Sequence, residues 1–83
     1  MDPETILRAG KALHDTLQAL ADHEHCDIDW SKLDPQDVFK MLQNVRELRL
    51  RGESLEHIRA ATVKDIRAIF EKCRLPNLHL VLN

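Results

Sequence analysis

The densest set of possible metal ligands in the sequence is His23-x-His25-Cys26, flanked by Asp22, Glu24, Asp27 and Asp29. Imidazole and thiolate suit Zn²⁺, and residues this close together could supply two or three ligands from one loop. The spacing matches neither paired CxxC elements nor a helical HExxH, so a structural site needs a further ligand such as His14 or His79. A solvated polar loop accounts for the same residues with fewer conditions. The expectation is no metal and no cofactor, with His23, His25 and Cys26 as the candidates to locate.

Nucleophilic chemistry has less to stand on. A Cys/His pair such as His25 with Cys73, or Cys26 with His57, requires a spatial contact that spacing does not establish. Cys73 falls on the apolar face of a helical pattern, where a buried thiol is inert. No GxxxxGK[ST], GxGxxG or GxSxG run occurs, and 2 glycines hardly build a phosphate-cradling loop. The chain reads as a non-enzyme.

The third chemical feature is cationic. Residues 1–37 carry 3 Lys/Arg against 9 Asp/Glu, whereas residues 38–83 carry 9 against 5, so a net charge of −2 conceals halves of opposite sign. Such halves can attract each other, attract a second copy, or meet different partners. Between Arg51 and Arg67 two capped segments follow one another as in a helix-turn-helix, which would place Arg59, Lys64 and Arg67 near phosphates. Ala61-Thr62 leaves little room for the three- or four-residue turn of that motif. Nucleic acid is therefore the alternative partner, and protein the first.

These residues must be held by a small frame. At 83 residues the chain allows one domain, spanning 1–83, because smaller pieces would not bury a self-sufficient core. A composition of 43% hydrophobic and 31% charged residues, with 2 Gly and 3 Pro, excludes collagen-like and disordered classes. Two cysteines are too few for a disulfide framework, and neither a leader pattern nor a membrane-length apolar run is present. The expected setting is the cytoplasm, with no membrane.

The expected fold class is all-α: a small bundle of three to four helices with an extended Leu-rich tail. Asp2-Pro3 starts a helix over 3–22, on which Ile6, Gly10, Leu13, Leu17 and Leu20 form a seam. Gly10 on that seam suggests close approach of another backbone. Residues 23–32 read as a connection pinned by Ile28, Trp30 and Leu33.

Asp34-Pro35 starts a second helix over 35–51, with Leu33 and Val38 as its hydrophobic staple and Gly52 as its stop. Its apolar sector holds Val38, Met41, Leu42, Val45 and Leu48. Phe39 and Leu50 lie beside that sector, and Arg46 and Arg49 fall within it or at its edge. Ser54 and Thr62 cap two further helices, 55–61 and 63–74, and the tail 75–83 places Leu78, Leu80 and Leu82 on one side if extended.

Function follows from what this frame leaves uncovered. The expectation is a regulatory or adaptor protein acting through helix-mediated association, as a homodimer or in a complex with another protein. Ile6, Leu13, Leu17 and Leu20 would form the helical seam. Phe39, Arg46, Arg49 and Leu50 would supply an outer flank, and Leu78, Leu80 and Leu82 would dock the tail.

Overall fold

The computed structural model describes residues 2–75. Asp2 accepts from the backbone N–H of Glu4 at 3.2 Å and opens α1 (Pro3–Glu24), which runs two residues beyond the predicted end. It stops where His25 turns left-handed, with φ 55, and the N–H groups of His25 and Cys26 both return to the Ala21 carbonyl.

The connection then forms β1 (Asp27–Ile28) and a 3₁₀ turn (Trp30–Lys32). Asp29 builds that turn by accepting from the backbone N–H of Ser31 at 3.1 Å and from its hydroxyl at 2.6 Å. These bonds hold the Asp29 carboxyl below its ordinary range. Trp30 stacks on the His14 ring, with centroids 4.1 Å apart and planes within 16°, which fastens the turn to α1.

Asp34 caps α2 (Pro35–Leu50) as the Asp-Pro pair predicts, accepting from the N–H of Gln36 at 2.9 Å. At the other end the N–H of Glu53 reaches the Leu48 carbonyl and that of Gly52 reaches the Arg49 carbonyl, each at 3.0 Å. This is a Schellman stop with Gly52 at φ 75. The chain then reverses into α3 (Leu55–Cys73), capped by the Ser54 hydroxyl on the N–H of His57.

Residues 55–73 form one helix rather than the expected two. Thr62 does not cap: its hydroxyl donates to the Ile58 carbonyl at 2.8 Å, which satisfies the polar group within an unbroken helix. A helix-turn-helix is therefore absent from this segment.

The second departure is a short ladder. Arg74 turns extended, and β2 (Arg74–Leu75) pairs antiparallel with β1, Asp27 opposite Leu75 and Ile28 opposite Arg74. The N–H of Asp29 adds a bond of 2.8 Å to the Cys73 carbonyl. Pro76 explains the geometry, since the residue before a proline is pushed toward extended backbone. Leu78, Leu80 and Leu82 lie outside the described residues.

Three helices thus enclose one core, made of Leu13, Leu17 and Ala21 from α1, Val38 and Met41 from α2, and Ile69, Phe70 and Cys73 from α3, closed by Cys26. Among the described residues no helix is long and apolar enough to cross a membrane.

Candidate interaction surfaces

The α1 seam is divided between two uses. Leu13 and Leu17 are 2% and 0% exposed, so the middle of the seam is spent inside the chain and offers nothing to a partner. Leu20 packs at the rim of the same core. Toward the N-terminus the seam opens: Ile6, Leu7, Gly10 and Lys11 face Leu33, Pro35 and Val38 across a groove of about 350 Å³. Leu33 and Val38, the two residues expected to staple the start of α2, both line it. Among the described residues close backbone approach at Gly10 is not found, since a Cβ there would meet nothing within 4 Å. Leu7, 74% exposed at this groove, was missed because it lies one residue off the seam.

The flank predicted on α2 forms one surface. Phe39, Gln43, Arg46, Glu47 and Leu50 line a shallow depression of about 290 Å³ on the outward side of the helix. Leu50 is 78% exposed and Phe39 37%. Arg46 and Arg49 are both exposed, and among the described residues no carboxylate comes within salt-bridge distance of either. On α3, Leu55 and Val63 are exposed as well, on either side of Arg59.

The candidate phosphate contacts separate. Arg67 is committed: its guanidinium grips both oxygens of Glu24, at 2.6 and 3.4 Å, and pairs with Glu71 at 3.1 Å. Arg74 joins the same Glu24 at 3.2 Å, and both guanidiniums lie over the Phe70 ring. The Arg67 hydrogen bonds hold the Glu24 carboxyl below its ordinary range and raise the guanidinium in turn. Arg59 and Lys64, by contrast, are exposed and without an acid partner among the described residues.

The metal candidates are not assembled. His23 and His25 are exposed, whereas Cys26 is buried, and His14 is engaged with Trp30. Among the described residues no three His, Cys, Asp or Glu side chains converge. Cys73 is fully buried, and burial pushes its thiol up, which keeps it protonated and unactivated. His57 contacts Glu53 at 3.2 Å at the far end of α3.

A cleft of about 330 Å³ between α2 and α3 is lined by Asp37, Lys40, Met41, Asn44, Asp65, Ala68 and Ile69. Its polar groups are mostly used to hold the hairpin: Asp37 takes Lys72 at 2.8 Å, and Asn44 donates to Asp65 at 3.2 Å. No family model, curated protein or solved structure matches this chain.

Proposed function

We propose that this protein is a non-enzymatic regulatory or adaptor module of the cytoplasm that acts by presenting helix surfaces to another protein, its own copy included. The observation that carries this reading is the unfinished seam of α1. Ile6, Leu7, Leu33, Pro35 and Val38 surround Gly10, whose missing side chain no contact among the described residues requires. A glycine inside a helix costs about 1 kcal/mol against alanine. Close approach by an external element gives that cost a use. The two free, buried thiols suit a reducing compartment.

The test places a photo-crosslinking residue at position 7 of the full chain. Discrete protein adducts are expected, and Gly10→Leu, which fills the groove, should remove them. Adducts indifferent to Gly10→Leu would mean that the groove is not used.

Nucleic-acid binding is the second reading, favoured by the exposed cations Arg46, Arg49, Arg51, Arg59 and Lys64 along α2, its C-cap and α3, none of which has an acid partner among the described residues. Glu47, Glu53 and Glu56 interleave with them, which dilutes any phosphate-facing field. Anisotropy of a labelled duplex, compared at about 50 and 200 mM salt, separates the readings because phosphate contacts weaken steeply over that range.

A further inference from the structure

Trp30 is held in two directions. Its ring stacks on His14, with centroids 4.1 Å apart and planes within 16°, and its carbonyl accepts from the N–H of Leu33 at 3.1 Å. Leu33 in turn packs at the rim of the core and lines the Gly10 groove beside Pro35 and Val38. A titratable ring on α1 is thus linked through one residue to the wall of that groove. The His14 side chain is 52% exposed, so protons reach it directly from water.

Charging the ring changes the contact. A neutral imidazole meets the indole as one aromatic ring stacked on another, whereas an imidazolium meets the negative face of the indole as a cation, and tryptophan is the best aromatic partner for one. From α1, the Asp15 carboxylate stands 3.4 Å from Nδ1 of His14, and both ring nitrogens donate once the imidazole is charged. The Asp15 carboxyl is held below its ordinary range chiefly by this neighbour. Lys11, one turn back, opposes the charge but is itself drawn to Asp15 at 3.5 Å. From the turn, Asp29 spends its carboxylate on Ser31, and Lys32 is exposed, so water screens it. The anion touches the ring and the cations do not.

We propose that the His14–Trp30 stack is a proton-sensitive clasp, which holds the Trp30–Leu33 turn more firmly against α1 when the imidazole is charged. What the charged ring gains over the indole is lost when the turn lifts away, so protonation and closure favour each other. The hold is strongest on the acid side of the range in which histidines titrate and relaxes on the alkaline side. Its consequence is a groove whose Leu33 wall is firmer in mild acid than above neutrality. That consequence rests on the reading of the groove as a contact surface; the clasp itself does not.

Amide hydrogen exchange of the full chain reads the clasp at the Leu33 N–H. An exposed cation–π contact corresponds to a factor of about two to five in the closing equilibrium, so Leu33 protection should rise by that factor between about pH 7.5 and 5.5. His14→Phe keeps a ring on the indole but takes up no proton, and its Leu33 protection should be equal at both pH values. His23, His25 and His57 remain in that variant, so the difference between the two proteins belongs to position 14. Asp15→Asn should remove part of the rise. Trp30 is the sole tryptophan, and its emission should change over the same range in the wild-type chain and stay level in His14→Phe.

Leu33 protection that is flat in the wild-type chain overturns the proposal, as does a rise of equal size in His14→Phe. Adducts at position 7, recorded at the same two pH values, decide the groove separately. Their absence at both, with Leu33 responding, leaves the clasp standing and removes the groove as a contact surface.

Discussion

Where α1 and α3 end, Glu24, Arg67, Glu71 and Arg74 form one ion network over the buried Phe70 ring, and the β1–β2 ladder closes beneath it. Near the Gly52 turn, where α2 ends and α3 begins, the pattern inverts. Leu50 and Leu55 are exposed, and Arg46, Arg49, Arg51 and Arg59 have no acid partner among the described residues. The same residue types are used in both places. At the first, cations and apolar groups are consumed in holding three chain segments together; at the second, one backbone turn does the holding and the side chains are left over. Ion pairing and a buried ring are thereby gathered at one end of a very small molecule, and exposed apolar and cationic side chains at the other.

That assignment can be broken by truncation. Phe70→Ala should cost about 3–5 kcal/mol, because a fully enclosed ring leaves a cavity and the guanidiniums above lose their support. Leu50→Ala should stay within about 0.5 kcal/mol of wild type. Denaturant unfolding of both variants measures the contrast, and equal costs would mean that the two regions share one core.

Acid should act on the first region selectively. The Glu24 carboxyl is held below its ordinary value of 4.5, chiefly by hydrogen bonds from Arg67. Its folded value is the lower one, so its stabilisation is fully present above the unfolded value and is lost as pH falls through the folded value. Melting temperature recorded from neutral pH downward should therefore drop below about pH 4.5, and Glu24→Gln should start lower and show a flatter acid limb. An unchanged acid limb in Glu24→Gln would mean that other carboxylates govern acid unfolding.

Local signals were legible in the sequence. Asp34-Pro35, Ser54 and Gly52 act within a few residues of themselves, so the α2 cap and, at the second region, the α3 start and the Schellman stop could be read directly. Phe39 and Leu50 were placed on a common flank by helical spacing alone.

What spacing could not supply was contact between distant segments. Asp27–Ile28 meets Arg74–Leu75 only because α1 and α3 end side by side, and Glu24 finds Arg67 across 43 positions. Thr62 misled in a different way. Its hydroxyl can cap a helix or bond back to the carbonyl four residues earlier, and a continuous face of buried Ile69 and Phe70 with half-buried Ile66 decides for the second.

Among the described residues two are left-handed, and they offer a finer comparison, since one is Gly and the other is not. Gly52→Ala should cost about 1–2 kcal/mol, because a Cβ at φ 75 is strained whatever space surrounds it. His25→Gly should gain, by about 0.5–1 kcal/mol, through relief of the same strain at φ 55, less the backbone entropy that glycine adds to the unfolded chain. Opposite signs in thermal unfolding sharpen the comparison. A loss at His25→Gly would show that the imidazole contributes more there than the strain costs.

Gly10→Ala acts through helix propensity alone. The backbone there is ordinary α-helix and a Cβ meets nothing within 4 Å, so the substitution should add up to about 1 kcal/mol of helix propensity without displacing any neighbour. A protein selected only for its own fold would gain from alanine at this position. Stabilisation together with weaker crosslinking at position 7 would show a glycine kept at the expense of the fold because something packs against it. Stabilisation with unchanged crosslinking would assign the groove to Leu7, Leu33 and Pro35 alone.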